Sequence, residues 1–107
     1  MGVKVESPGG FVVVAEGVSE ALVREASAKI EMVLRQGGVT AADIENLRVR
    51  YQELGESGVD IQRIGADDLK RYALDPNHVK ANKAIFAVLN ATRAKAPSGG
   101  VIGFRGS

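Results

Sequence analysis

Apolar residues at the start of the chain predict two strands. Val3 and Val5 alternate with polar residues, and this two-residue period is typical of a half-buried strand. The run from Phe11 to Ala15 is apolar throughout and rich in valine, which indicates a more deeply buried strand. Because a Pro-Gly-Gly turn at residues 8–10 joins the two runs, the sequence predicts an antiparallel hairpin.

A helical period follows the hairpin. Ser19 is a favourable N-cap residue, and Gly37 and Gly38 are typical of a helix end. The apolar residues between them share one side of a 3.6-residue helix: Leu22, Val23, Ala26, Ile30, Val33 and Leu34. The sequence predicts a first helix that buries this side.

A second helix is predicted to begin after Thr40, which has Asp43 three residues later, close to a capping box. Its narrow apolar stripe consists of Ile44, Leu47, Tyr51 and Leu54. Gly55 stands where a left-handed residue would close this helix.

The middle of the chain predicts one more strand and a short helix. Between Gly58 and Ile64, apolar and polar residues alternate, which favours a strand. A short helical turn is predicted from Asp67 to Leu74.

The clearest boundary in the chain is Asp75 and Pro76, because Asp caps helices and Pro is tolerated at the first helical position. A long helix is predicted from Pro76 to about Lys95. Its expected core side carries Val79, Ile85, Phe86, Val88 and Leu89.

Another side of this long helix carries small residues, namely Ala84, Ala87, Ala91 and Ala94. Their spacing of three, four and three residues is close to a heptad pattern, and small side chains allow another backbone to approach. The stripe is either an interaction surface, covered by this chain or by a partner, or the result of alanine's high helix propensity.

The last ten residues are rich in glycine and leave two alternatives open. Residues 98–107 form either a flexible tail or one added strand built on Val101, Ile102 and Phe104. We expect residues 1–97 to form a single globular domain. The predicted fold is α+β, with a small mixed or antiparallel sheet of three or four short strands and about four helices on one face.

Composition excludes several classes of protein. The 107 residues include no cysteine, which excludes disulfides, thiolate metal sites and cysteine nucleophiles. The longest apolar run, Phe11 to Ala15, is far shorter than the roughly 20 residues that cross a bilayer. The sequence also has no recognisable secretory signal, so we expect a cytoplasmic location.

Charge is distributed unevenly along the chain. Residues 1–75 carry 9 basic and 13 acidic side chains, whereas residues 76–107 carry five basic side chains and no acidic one. The five are Lys80, Lys83, Arg93, Lys95 and Arg105. They could contact an anion or a nucleic acid, or equally the acidic part of the same chain.

Candidate catalytic chemistry is sparse. His78 is the only histidine and the only candidate general acid or base. The carboxylates of Asp60, Asp67, Asp68 and Asp75 match no calcium-loop spacing, and Asp67 and Asp68 are expected at a helix start. We therefore expect no metal site and no cofactor.

Two functional hypotheses follow. The first is a non-enzymatic protein–protein interaction module that self-associates or joins a larger assembly, with the alanine stripe as its contact surface. The alternative is a nucleic-acid-directed protein, either a binder or a small RNase, that uses the basic residues of 76–107 with His78 as its single acid or base.

Overall fold

The computed structural model describes residues 2–106. Three strands, β1 (Gly2–Glu6), β2 (Phe11–Glu16) and β3 (Val101–Gly106), form an antiparallel sheet in the order β1-β2-β3. In the register, Val5 lies opposite Val13, and Val13 lies opposite Phe104. The predicted hairpin is confirmed, and residues 101–106 form the added strand rather than a free tail.

Four helices pack against this sheet: α1 (Glu20–Gly37), α2 (Ala41–Glu56), α3 (Ala66–Arg71) and α4 (Pro76–Lys95). α1 lies over β1 and β2, whereas α2 and α4 contact β3. The predicted α+β class, with an antiparallel sheet and about four helices, is confirmed. None of the helices within residues 2–106 is long and apolar enough to span a membrane.

The main core lies between the sheet and the helices α1 and α4. Phe11, Val13 and Phe104 project from the sheet and are almost completely buried. They meet Ile30 of α1 and Ile85 of α4, both fully buried. The rings of Phe11 and Phe104 are 5.3 Å apart between centroids. This core is mostly aliphatic, in keeping with the few aromatic residues in the sequence.

A smaller apolar cluster lies beyond the sheet, where α2 meets the start of α4. Leu47, Leu54, Leu74 and Val79 are its buried members. Val59, Ile61 and Ile64 pack against these residues. The prediction of a strand from Gly58 to Ile64 is therefore wrong: the segment is irregular, with one 3-10 turn at Ile61–Arg63. Its apolar residues cover the cluster and do not join the sheet.

The predicted caps of the first two helices are present. The backbone N–H of Leu22 donates to the Ser19 hydroxyl at 3.4 Å, and Gly38 adopts a left-handed φ of 62° after α1. Thr40 and Asp43 form a reciprocal capping box. The role predicted for Gly55 is wrong, because α2 continues to Glu56 and ends at Ser57.

The buried side of α4 differs from the predicted one at Phe86. This residue is 48% exposed, because α1, α2 and β3 cover the side that carries Ile85 and Leu89. Asn82 and Thr92 are buried there as well. The hydroxyl of Thr92 donates to the backbone oxygen of Val88, whereas Oδ1 of Asn82 has no hydrogen-bond partner within the described residues.

Candidate interaction surfaces

The alanine stripe of α4 faces away from the core. Ala87, Ala91 and Ala94 are exposed, and Ala84 is partly buried beside a groove between α1 and α4. The structure therefore leaves Ala87, Ala91 and Ala94 without cover from the rest of residues 2–106. Their methyl groups are available to a partner, although exposed alanine is also tolerated in any helix.

A second surface, which the sequence did not reveal, is the uncovered face of the sheet. Helices cover only the face that carries Val5, Phe11 and Val13. Because side chains alternate along a strand, the opposite face carries Val12, Val14 and Val101. Val12 and Val14 are half-buried and Val101 is 61% exposed. We define the uncovered face by nine residues: Gly2, Lys4, Glu6, Val12, Val14, Glu16, Val101, Gly103 and Arg105.

The apolar centre of this face comes from the valine run of β2. The continuous apolar run from Phe11 to Ala15 indicates a more deeply buried strand. In the structure, one side is buried and the valines of the other lie at the centre of an open surface. When helices cover only one face of a strand, a continuous run of valine therefore indicates an apolar surface on the other face.

Charged residues surround the apolar centre of the uncovered face. Lys4 and Glu6 on β1 form an ion pair with 3.5 Å between Nζ and Oε1, and both side chains are well exposed. Glu16 lies opposite Val101, and Arg105 lies opposite Val12. With two cationic and two anionic groups, the uncovered face has no net charge, so its electrostatics favour a partner of mixed charge.

The β3 edge of the sheet is capped by α2. Nη1 of Arg48 donates to the backbone oxygen of Phe104 at 2.7 Å, and the backbone N–H of Gly106 donates to Oε1 of Glu45 at 2.8 Å. Arg48 and Glu45 also pair with each other at 3.3 Å. A Cβ atom at residue 106 would collide with Glu45 and lie 3.1 Å from the backbone oxygen of Ala41, so glycine permits this approach.

Arg48 also lies near two aromatic rings. Its guanidinium carbon is 4.9 Å from the centroid of Phe104 and 5.9 Å from that of Phe86. A cation above an aromatic face is favourable. Arg48 therefore joins α2, α4 and β3, and the exposed ring of Phe86 belongs to this junction.

His78 lies between two carboxylates. Its Nε2 is 3.7 Å from Oδ2 of Asp43 and 3.6 Å from Oδ2 of Asp75, and the imidazole is 28% exposed. Asp75 caps α4 by accepting from the N–H of Asn77 at 2.8 Å. The neighbours of His78 are acidic and belong to two helix starts, so its surroundings do not resemble a phosphate site.

The hydrogen bonds of Asp43 affect its titration. The backbone N–H of Thr40 is the main cause that lowers the pKa of Asp43, followed by the Thr40 side chain, with His78 contributing least. The negative charge of Asp43 therefore fits its place at the start of α2.

The five basic residues of 76–107 do not form one patch. Lys80, Lys83 and Arg93 are exposed on α4, and Lys95 lies 4.0 Å from Glu25 of α1. Arg105 lies on the uncovered face of the sheet. The ammonium groups of Lys29 and Lys95 lower the pKa of Glu25, which locates part of the predicted basic-to-acidic attraction within the chain.

The acidic residues considered for a metal have structural partners. Asp60 accepts from the N–H of Gln62 and pairs with Arg63, and Asp68 accepts from the N–H of Gly65. Asp67 lies in the first turn of α3. Within residues 2–106, no group of three or more His, Asp or Glu side chains could hold a metal ion.

Comparison of the chain with protein-family models, with curated proteins and with solved structures found no match.

Proposed function

We propose that this domain is a non-enzymatic protein–protein interaction module that assembles with further copies of itself. The single observation that carries the proposal is the sheet covered on one face only. Valine side chains at its centre remain accessible, and an apolar centre with a charged rim is the usual composition of a protein contact surface.

The charge pattern favours a second copy as the partner. The uncovered face carries Lys4 and Arg105 together with Glu6 and Glu16. A polyanion would meet repulsion from the two carboxylates, whereas an identical surface offers a cation for each of them. The environment of His78 supports the same proposal, because the carboxylates of Asp43 and Asp75 beside the imidazole would repel a phosphate.

The alanine stripe is the competing contact surface. Ala87, Ala91 and Ala94 are exposed, but the stripe lies next to Lys80 and Lys83, so two copies would bring like charges together. We therefore place the contact on the sheet and keep the stripe as the alternative.

Sedimentation velocity from micromolar to millimolar protein, at low and at high salt, tests the proposal. We expect the average mass of the wild type to rise with concentration. Ala91→Lys should follow the wild-type curve, because it adds charge to the stripe only. The matched control Met32→Lys replaces another exposed apolar residue, 58% exposed on α1, and should also behave as wild type.

A wild type that stays monomeric at every concentration would overturn the proposed function. Loss of association in Ala91→Lys but not in Met32→Lys would move the contact from the sheet to the alanine stripe.

A further inference from the structure

The two edges of the sheet differ in what covers their backbone. On β3, Arg48 and Glu45 bind the outward-facing groups of Phe104 and Gly106. On β1, the Ser7 N–H donates to the oxygen of Phe11, so these two residues form a hydrogen-bonded pair. Bonded and non-bonded pairs alternate along an antiparallel ladder, which places Lys4 and Glu6 in non-bonded pairs with β2. The backbone groups of Lys4 and Glu6 therefore face outward, and none of the loop or side-chain hydrogen bonds within residues 2–106 reaches them.

Edge strands with unpaired N–H and C=O groups can accept another strand. Which strand fits depends on the side chains that it would place beside Lys4 and Glu6. Directly opposed residues of antiparallel strands lie close together, and opposite charges there are favourable whereas like charges are unfavourable.

We propose that β1 pairs with β1 of a second copy in antiparallel orientation, so that two sheets join into one of six strands. This inference rests on the proposed self-association and places its contact at the β1 edge of the sheet, beside the uncovered face and not on it. The two-fold axis passes beside Val5, so that Val5 lies opposite its own copy. In this register Lys4 of each chain lies opposite Glu6 of the other, and their outward-facing backbone groups bond.

Other registers are less favourable. A shift of the pairing by one step in either direction places Lys4 opposite Lys4, or Glu6 opposite Glu6. Charge thus selects the register centred on Val5.

The capped β3 edge sets the size of the assembly. Because Glu45 and Arg48 bond to two of the outward-facing groups of β3 and α2 packs beside that strand, β1 is the more open edge for strand addition within residues 2–106. A contact in which the same strand serves both chains closes on itself. The expected product is a two-fold symmetric dimer.

Reversal of charge on β1 tests the contact. K4E alone should place Glu opposite Glu, and E6K alone should place Lys opposite Lys, at both ends of the pairing. Each should raise the dimer dissociation constant by about tenfold or more. An equimolar mixture of K4E and E6K should form heterodimers, and the double swap K4E/E6K should recover wild-type association.

Arg105→Glu is the matched control. It makes the same change in net charge as K4E on the uncovered face but on β3, which β2 separates from the β1 edge. Thermal unfolding of every variant separates a lost contact from a lost fold. Hydrogen exchange gives a direct readout, since the amides of Lys4 and Glu6 should exchange more slowly as wild-type concentration rises.

The two proposals fail differently. A wild type that remains monomeric overturns both. A wild type that associates while K4E and E6K leave the dissociation constant unchanged overturns the β1 contact and leaves self-association standing. Equal weakening by Arg105→Glu, or failure of the mixture to form heterodimers, would also overturn strand pairing and would favour contact through the uncovered face.

Discussion

Two residues at helix ends have a left-handed backbone conformation, and one of them is an alanine whereas the other is a glycine. Ala73 has a φ of 54° just after α3, where the Leu74 N–H donates to the oxygen of Leu69 and closes a helix-end motif. Gly38 has a φ of 62° at the end of α1, with nothing near the position that a Cβ would occupy. Both residues are exposed, so substitutions at the two sites measure how much a Cβ atom destabilises a left-handed backbone conformation, without a change in core packing.

We expect Ala73→Gly to raise the free energy of unfolding and Gly38→Ala to lower it, each by about 1 kcal/mol. Urea titration followed by circular dichroism measures both. A lower free energy of unfolding in Ala73→Gly would show that the lower entropy of the unfolded chain with alanine outweighs the relief of backbone strain.

Asp43 makes stability depend on pH at the acid end. Its pKa is lowered in the folded protein, so the folded state favours the carboxylate. The stabilising contribution is fully present above the unfolded pKa, about 3.9, and disappears as pH falls through the folded value.

Asp43→Asn should therefore lower the free energy of unfolding at neutral pH. The difference between wild type and variant should shrink below about pH 4. Denaturant titrations at a series of pH values check this. A difference that stays constant down to the acid transition would show that the charge of Asp43 contributes nothing beyond what an amide supplies.

At the scale of elements, the long helices and the hairpin could be predicted because local signals define them. Ser19, Thr40 and Asp75 cap helices whose apolar period extends over several turns. The segment from Gly58 to Ile64 has alternation too, but a strand needs a partner strand. The β3 edge is occupied by α2, and the cluster around Leu54 supplies a nearer apolar surface.

The missed features depend on neighbours that are distant in sequence. Phe86 belongs to the apolar residues of α4, yet α2 approaches so that Arg48 lies beside its exposed ring. The apolar character of the open side of β2 was not predicted, because the run from Phe11 to Ala15 indicates only a more deeply buried strand and does not show which face the helices leave open. The position of Lys4 and Glu6 on an edge strand likewise follows only from the order of the strands in the sheet.

Helix α2 carries a matched pair of arginines, of which Arg48 contacts β3 and Arg50 contacts the residue after α3. Arg48 is 27% exposed and donates to Phe104 at 2.7 Å, whereas Arg50 is 45% exposed and donates to the oxygen of Tyr72 at 3.5 Å. Each also pairs with a glutamate three residues away. The two side chains differ in burial, in the distance to the carbonyl oxygen that accepts from them, and in the rings of Phe86 and Phe104 beside Arg48.

We expect Arg48→Met to lower the free energy of unfolding by about 1–3 kcal/mol, because it leaves the oxygen of Phe104 without its donor. Arg50→Met should change it by less than about 0.5 kcal/mol. Chemical denaturation of both variants decides the comparison. Equal losses would show that the bond to β3 contributes no more than an exposed ion pair.

At the scale of the whole molecule, only one side of the sheet takes part in the hydrophobic core. The main core holds α1 and α4 against one face, and the smaller cluster supports α3 and the segment that follows α2. Neither core uses the valines of the opposite face or the outward edge of β1. Changes at these positions should therefore leave the core contacts in place, so that they test the proposed association separately from the fold.

The order of strands also bears on how the chain folds during synthesis. β2 pairs with β1 almost at once, but its other neighbour, β3, begins only at Val101. Until that segment leaves the ribosome, Phe11 lacks the ring of Phe104 and one side of β2 has no hydrogen-bond partner. Contacts between such distant segments slow folding. The nascent chain therefore exposes a valine-rich strand throughout the synthesis of residues 17–100.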